Sequence, residues 1–205
     1  MGVSLIYRSR IAYEFAMLAL YGRYYPDRYQ AIANLIPKGA EVLELCCGPG
    51  ILYDRYLRHK NVNYRGLDVS KKFVNDLVRR GIAAEQWNLR SSRPLPRAEY
   101  VVMQASLYHF LPHAGPVLDR MLESAERGVI LAEPIRNLSS SKVPMIARFS
   151  RKLTDPGVGS SPNRFVEKTL DTLAERYGSL LRQSFLAPGG REKIYVFDKA
   201  AAPVT

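Results

Sequence analysis

The chain has 205 residues, of which 47% are hydrophobic and 24% are charged, a balance that suits one globular domain with a full core. Its net charge of +11 favours anionic partners, with a basic solvated surface as the simpler reading. Two adjacent cysteines, Cys46 and Cys47, are too few for a disulfide framework or a structural zinc site, so no metal site is predicted.

Residues 1–36 are predicted to form an N-terminal helical cap. Apolar side chains recur at helical spacing from Tyr7 to Ala19, which predicts an amphipathic helix that ends near Tyr21. Pro26 then begins a second helix that ends shortly after residue 36. No segment reaches the roughly 18 apolar residues that a membrane-spanning helix needs.

From residue 40 onward, strand patterns alternate with helical patterns. The predicted strands cover residues 41–46, 63–68, 82–88, 99–105 and 128–133, and the predicted helices cover 50–59, 70–80 and 114–126. After a helix over 165–177, residues 180–187 and 193–198 form a predicted β-hairpin. We therefore predict an α/β fold with a doubly wound, mostly parallel seven-stranded sheet, an antiparallel C-terminal hairpin and one domain over residues 1–205.

Residues 134–163 interrupt the alternation of strands and helices. Prolines, glycines and serines surround a short basic and apolar segment that contains Arg148. A long insertion at the ligand edge of an α/β sheet commonly forms a lid or binds substrate. We predict such a lid after the fifth strand, with Arg148 as a candidate substrate contact and a disordered surface loop as the alternative.

The stretch Glu44-Leu-Cys-Cys-Gly-Pro-Gly50 joins the first predicted strand to the following helix. Gly48 and Gly50 allow backbone N–H groups to approach a ligand without a Cβ in the way. The dinucleotide fingerprint G-x-G-x-x-G fails here, because Tyr53 stands where the third glycine belongs. The turn therefore argues against a nicotinamide dinucleotide as the ligand.

Residues suited to nucleoside binding follow the next three strands, at the edge where parallel strands end. Asp68 stands 20 residues beyond Gly48, the distance at which an acidic residue accepts hydrogen bonds from a ribose. Trp87-Asn88-Leu89 follows the third strand, and Gln104 leads into Tyr108-His109-Phe110 after the fourth. Their order and their βαβ spacing predict one nucleoside pocket.

These segments resemble the class I, Rossmann-like S-adenosylmethionine-dependent methyltransferases. Residues 44–50 are similar to motif I of that family, with Cys46 at its first glycine position, and the segment after the fourth strand is similar to motif IV. The resemblance implies S-adenosylmethionine as cofactor and S-adenosylhomocysteine as product. Asn88 would then bind the adenine amino group, with Trp87 or Leu89 against the ring. The cofactor-binding residues that the resemblance implies are Glu44, Cys46, Gly48, Gly50, Asp68, Val69, Trp87, Asn88, Leu89, Gln104 and Leu107.

Five further side chains are candidates for chemistry or for contact with the substrate. His109 is the candidate general base, because imidazole titrates in the useful range; shaping of the pocket is its alternative role. Tyr108 is expected to form a wall of the acceptor pocket. Tyr24, Tyr25 and Arg28 join the two N-terminal helices, a region that covers the cofactor in similar methyltransferases. One of them could hold the methionine carboxylate, and an interhelical packing turn explains them equally well.

Three functional hypotheses follow. The first is a cytoplasmic enzyme that transfers a methyl group from S-adenosylmethionine to an O, N or C atom of a small-molecule or lipid-like acceptor, by in-line displacement. The second, which the net charge favours, is an RNA or other nucleic-acid methyltransferase, although the D/N-P-P-Y/F pattern that clamps a flipped base is missing after the fourth strand. The third is a non-catalytic cofactor-binding scaffold. Peripheral contact with an anionic membrane is a further hypothesis, and no oligomeric state is predicted.

Overall fold

A computed structural model describes residues 10–135 and 164–199 of the chain. The helices are α1 (Arg10–Tyr21), α2 (Tyr25–Ala33), α3 (Lys71–Arg79), α4 (Gly115–Ser124) and α5 (Glu167–Glu175). The strands are β1 (Glu41–Leu45), β2 (Asn63–Asp68), β3 (Ala84–Gln86), β4 (Ala98–Gln104), β5 (Ala125–Pro134), β6 (Leu181–Leu186) and β7 (Glu192–Asp198).

The seven strands form one sheet in the order β3-β2-β1-β4-β5-β7-β6. Strands β1 to β5 pair in parallel, whereas β7 pairs antiparallel with both β5 and β6. This sheet confirms the predicted fold. The chain runs outward from β1 to β3 and then returns to β4 beside β1, so the strand order reverses between β1 and β4. Ligands of open α/β sheets bind at such a reversal, beyond the carboxyl ends of the strands.

Two layers of apolar side chains cover the two faces of the sheet. On one face, Leu43 and Leu45 of β1 belong to a cluster that includes the buried side of α4. On the other face, Val42 of β1 and Val102 of β4 pack in a cluster with Ile32 of α2. Neighbouring residues of β1 thus point to opposite faces, as the period of a strand requires. Burial on both faces fixes the strand ends as a rigid frame for a site.

Several element boundaries differ from the predicted ones. Strand β5 begins at Ala125, within the helix predicted over residues 114–126, and α2 ends at Ala33, before residue 36. Two larger differences lie beside the ligand edge. Strand β3 has three residues instead of seven, because it pairs only with β2, which ends at Asp68 opposite Gln86. The helix predicted over residues 50–59 is irregular, with a π-helical turn at Tyr53–Leu57 and a 3₁₀ turn at Arg58–Lys60. Neither difference moves the turn between β1 and this helix.

Residues 136–163, which form most of the predicted lid, lie outside the described part of the chain, and so does Arg148. Among the described residues, no helix is long and apolar enough to cross a membrane. Nor does any cluster of three or more His, Cys, Asp or Glu within 10–135 and 164–199 have the arrangement of a metal site.

Candidate functional site

The turn after β1 contains three residues in the left-handed backbone region. Their φ angles are +54° at Cys46, +53° at Gly48 and +71° at Gly50. Glycine adopts this region freely, whereas a residue with a Cβ pays about 1–2 kcal/mol there. Cys46, which replaces the first glycine of motif I, therefore holds a strained conformation that supports the sharp change of direction between strand and helix.

Gly50 is additionally fixed by a close contact. A Cβ at this position would lie 2.5 Å from Cδ2 of Leu77 on α3, while a Cβ at Gly81, which has the same φ of +71°, would meet no atom within 4 Å. We expect Gly81→Ala to lower the free energy of unfolding by about 1 kcal/mol through backbone strain alone. Gly50→Ala should cost about 1–3 kcal/mol more, because the new methyl group overpacks the core. Urea unfolding of both variants measures the difference, and equal losses would contradict the close packing.

Asp68, at the end of β2, connects two neighbouring strand ends. Its Oδ2 accepts the Gly48 N–H at 2.8 Å and its Oδ1 accepts the Ser70 N–H at 2.7 Å. Burial raises the pKa of Asp68, and these two N–H donors oppose that rise. Since each carboxylate oxygen has two lone pairs, both oxygens can accept a further hydrogen bond from a ribose. The backbone N–H of Trp87 donates to the backbone carbonyl of Asp68 at 2.9 Å, which brings the third strand end to the same place.

The three residues expected around adenine occupy different environments. Trp87 and Leu89 are buried in the cluster on the α4 face, and the Arg93 guanidinium lies 3.6 Å from the centre of the Trp87 ring. Asn88 is exposed, and its Oδ1 accepts the Arg90 N–H at 2.9 Å. Val69 is half-buried, and its carbonyl accepts a hydrogen bond from Gln86.

The loop after β4 is held by a carboxyl group that the sequence reasoning missed. Glu133, at the end of β5, is fully buried, and its Oε1 accepts the N–H groups of Ser106 and Leu107 at 2.6 Å each. Burial raises the pKa of Glu133 to about 8, against the effect of these donors. The Leu107 side chain is fully buried in the core, and its backbone N–H is one of these two donors. An ionisable residue directly after the apolar run Val129–Ala132 was the available signal.

A small cavity lies where the N-terminal helices cover the ends of β1 and β4. Its volume is about 20 Å³, room for about one water molecule. The side chains that matter most for its chemistry are those of Tyr13, Arg28, Tyr29, Glu44, Cys46 and Gln104. An amino-acid moiety is larger than this cavity, so part of the cavity wall would have to move for one to enter.

Glu44 contributes a buried carboxyl group to the cavity. The Tyr64 hydroxyl donates a 2.6 Å hydrogen bond to its Oε2. Burial raises the pKa of Glu44 to about 8; the Tyr64 bond lowers it, and the Asp68 charge raises it. At neutral pH this group is therefore ready to ionise when a cation arrives.

Arg28 contributes a buried guanidinium group to the same cavity. Its Nε and Nη2 donate to the two carboxylate oxygens of Glu192, the Nε bond being 2.7 Å long. The guanidinium lies between the rings of Tyr21 and Tyr29, at 3.9 and 5.2 Å from their centres. Nη1 is buried and has no hydrogen-bond partner in the described structure. A buried cationic donor in this state fits an anionic group of a ligand.

The other expected acceptor residues lie around this cavity rather than in it. Tyr24 packs against Gly189 of the β6–β7 turn, and Tyr25 is buried edge-to-face against Tyr29, so neither contributes to the cavity wall. Tyr13 of α1, which no motif singled out, does line the cavity, and its ring meets Phe73 edge-on at 6.2 Å. The cap thus reaches from the β1 turn to the start of α3.

The short helix after β4 carries Tyr108 and His109. Tyr108 is buried and the Arg164 guanidinium lies 3.6 Å from its ring centre. The His109 ring is half-buried and lies 4.0 Å from the Tyr108 ring, while the His109 carbonyl accepts a 2.7 Å hydrogen bond from Arg90. This side of the strand ends is therefore aromatic and basic.

Comparisons with known proteins agree with this arrangement. A model of the family described as methionine biosynthesis protein MetW matches residues 26–139, more than half of the chain. Trans-aconitate 2-methyltransferase of Mycobacterium tuberculosis is 29% identical over 159 residues, which cover 70% of this chain and 60% of that protein. The chain thus matches less than two thirds of the length of this curated relative.

Two solved structures share the fold. Magnesium protoporphyrin IX methyltransferase of Synechocystis PCC 6803, with bound S-adenosylhomocysteine, has a TM-score of 0.63 at 15% identity and matches 94% of this chain and 96% of that chain. Human N-acetylserotonin methyltransferase, in complex with S-adenosylmethionine, has a TM-score of 0.63 at 15% identity and matches 95% of this chain and 57% of that chain.

The family match includes the β1 turn, Asp68 and the segment after β4, and the shared fold supplies the sheet order and the antiparallel hairpin. The cofactor of this class is S-adenosylmethionine. The chain therefore belongs to the MetW family, among the class I, Rossmann-like S-adenosylmethionine-dependent methyltransferases.

Proposed function

We propose that the protein transfers the methyl group of S-adenosylmethionine to a small-molecule or lipid-like acceptor. The observation that supports this most is that one cavity is lined by two buried groups of opposite kind. One is the Arg28 guanidinium, whose Nη1 has no hydrogen-bond partner among the described residues, and the other is the carboxyl group of Glu44. The amino-acid end of the cofactor is a zwitterion. Arg28 would hold its carboxylate and Glu44 its ammonium group.

The remaining cofactor contacts follow from the strand ends. Asp68 would accept the ribose hydroxyl groups, and the turn at Gly48 and Gly50 would let the backbone lie against the nucleoside. When bound, the cofactor supplies a methyl group on a sulfonium sulfur, which leaves as a neutral thioether when the acceptor displaces it in line. The protein then has to orient the acceptor and exclude water, and positioning alone is worth roughly 7–11 kcal/mol.

The acceptor would lie beyond the end of β4, beside Tyr108 and His109. Arg164, stacked on Tyr108, and Arg90, bonded to the His109 carbonyl, make this side attractive for an acceptor that is small and anionic. The relative from Mycobacterium tuberculosis is named for trans-aconitate, an acceptor of that kind. His109 would take the proton of a hydroxyl or amine acceptor, whereas a carboxylate acceptor needs no base.

Calorimetric titration of the purified chain with S-adenosylmethionine and with NAD tests the cofactor site. We expect binding of the former only, and a loss of about 10- to 100-fold in affinity in Asp68→Ala, because hydrogen bonds to a charged group are removed. Glu123→Ala, which removes an exposed carboxylate on α4, is the matched control and should bind normally. Binding of NAD alone, or unchanged binding in Asp68→Ala, would reject the site.

Incubation with a labelled methyl donor and fractionated cell extract tests the acceptor class. We expect label in small metabolites or lipids of the cytoplasm, where the cofactor is made. Label in RNA, together with binding that weakens steeply with salt, would support the nucleic-acid alternative instead. Tight cofactor binding without any labelled product would support the scaffold.

Peripheral membrane contact is a second proposal, favoured by the outer face of α1. Ile11, Phe15 and Leu18 recur at helical spacing there, and Phe15 is 75% exposed. We expect the protein to float with anionic vesicles at low salt and Phe15→Glu to reduce the bound fraction several-fold. Val78→Glu, which alters an exposed apolar residue on α3, is the matched control. If the unaltered protein fails to float with the vesicles, this proposal is rejected.

A further inference from the structure

We propose that Glu192 is a positioning residue for cofactor recognition: it fixes Arg28 so that Nη1 faces the carboxylate of the cofactor. The inference rests on the proposed function, because it concerns the same cavity. Glu192 is the first residue of β7 and is 1% exposed, and neither motif I nor motif IV includes this part of the chain.

The Glu192 carboxylate occupies one edge of the Arg28 guanidinium. Its two oxygens accept from Nε and Nη2 in a bidentate pair. A guanidinium group is planar, with its five N–H donors in a fixed fork, so a carboxylate on this edge leaves Nη1 on the opposite side. Nη1 is the guanidinium nitrogen without a partner in residues 10–135 and 164–199, and Arg28 lines the cavity.

Further contacts leave the guanidinium few alternative orientations. The Tyr21 ring covers one of its faces, and the Tyr21 hydroxyl also donates to Glu192 at 3.3 Å. With its amide oxygen turned toward Arg28, Gln104 accepts from both Nε and Nη2 at 3.2 Å. The junction therefore joins α1, α2, β4 and β7 around one cation. Such a supporting shell orders a binding group before the ligand arrives.

The role of Glu192 can be separated from a general stabilising role by the choice of ligand. S-adenosylhomocysteine carries the amino-acid carboxylate, whereas 5′-methylthioadenosine has the same nucleoside and thioether but no amino-acid end. A residue that positions Arg28 affects only the first ligand. A residue that merely supports the fold affects both ligands alike.

The experiment is calorimetry of both ligands with the full chain and with Glu192→Gln. We expect the affinity for S-adenosylhomocysteine to fall by about 10- to 100-fold, because the charge that orients Arg28 is lost, while 5′-methylthioadenosine binds within about twofold of the unaltered protein. Glu167→Gln is the matched control and should change neither affinity. Glu167 is an exposed carboxylate of α5 that pairs with Lys193, the residue after Glu192 on β7. Equal losses for the two ligands, or no loss for either, would overturn the inference.

Glu192→Asp provides a second variant, should Glu192→Gln fail to fold. Aspartate keeps the charge but is one methylene shorter, so it draws the guanidinium away from the cavity. We expect a smaller loss that is again confined to S-adenosylhomocysteine, and a loss shared by both ligands would contradict positioning. Failure of the unaltered protein to bind either ligand would instead reject the proposed cofactor site itself.

Discussion

Replacement of Arg28 by alanine is expected to eliminate measurable binding of S-adenosylhomocysteine and to lower the free energy of unfolding by about 3–5 kcal/mol. Both effects have one cause in the structure. Arg28 and Glu192 are 2% and 1% exposed and form a bidentate ion pair, so loss of the guanidinium leaves a buried carboxylate without its counter-charge. Urea unfolding and calorimetric titration measure the two effects separately.

The double variant Arg28→Met with Glu192→Leu distinguishes stability from recognition. Apolar side chains of similar volume in place of a buried ion pair are often neutral or stabilising, so we expect most of the lost stability to return, to within about 1 kcal/mol. Cofactor binding should remain absent, because the donor to the carboxylate is gone. A double variant that binds S-adenosylhomocysteine normally would show that Arg28 has only a structural role.

The second large effect expected is a dependence of cofactor affinity on pH through Glu44. Burial raises the pKa of Glu44 to about 8 in the cofactor-free protein, whereas an ammonium group in the cavity favours the ionised carboxylate. Below this pKa, binding must release a proton. Affinity for S-adenosylhomocysteine should therefore rise by up to about tenfold per pH unit between about pH 6 and pH 8.

Glu44→Gln is the variant that checks this assignment. Glutamine still accepts the Tyr64 hydrogen bond but does not titrate, so affinity should be lower and its pH slope should flatten. Glu133→Gln is the control, because the pKa of Glu133 is also raised to about 8 and its carboxyl group lies on the β5 side. A pH slope that survives in Glu44→Gln and disappears in Glu133→Gln would contradict the assignment, because it would show that Glu133 releases the proton.

The same pKa shift sets the sign of a stability effect in the cofactor-free protein. The pKa of Glu44 is higher in the folded state than its ordinary value of 4.5. Its contribution is thus fully present below pH 4.5 and is lost as the pH rises through about 8. Glu44→Gln should remove the part of this decline that Glu44 causes, whereas the part from Glu133, whose pKa is also raised to about 8, should stay. Cofactor binding offsets the Glu44 part in the unaltered protein.

The sheet and its ligand edge could be predicted because their signals are local. Buried parallel strands are short apolar runs, and the residue that follows each run reaches the same edge. The sequence thus predicts that Glu44, Gly48, Gly50 and Asp68 lie close together. The Gly48–Asp68 hydrogen bond joins two of them. The predicted length of strand β3 is too great, because the length of β3 depends on where its partner β2 ends.

The charged interior of the site could not be predicted, because its contacts join distant parts of the chain. Arg28 and Glu192 are separated by 164 positions, and neither residue reveals its partner in the local pattern. Tyr13 lies outside the apolar pattern that predicts α1, because Ile11, Phe15 and Leu18 of that pattern form the exposed face. Glu133 was the exception: an ionisable residue at the end of a buried strand is costly unless it is bonded, and this signal was missed.

A crystal structure of the protein with S-adenosylhomocysteine tests most directly whether the ends of β1, β2 and β4 form one cofactor site. We expect the cap to have moved outward, the ligand carboxylate to lie on Nη1 of Arg28 and the ribose hydroxyl groups to lie on Asp68. A ligand bound elsewhere, or Arg28 and Asp68 both free of contact with it, would contradict the assignment.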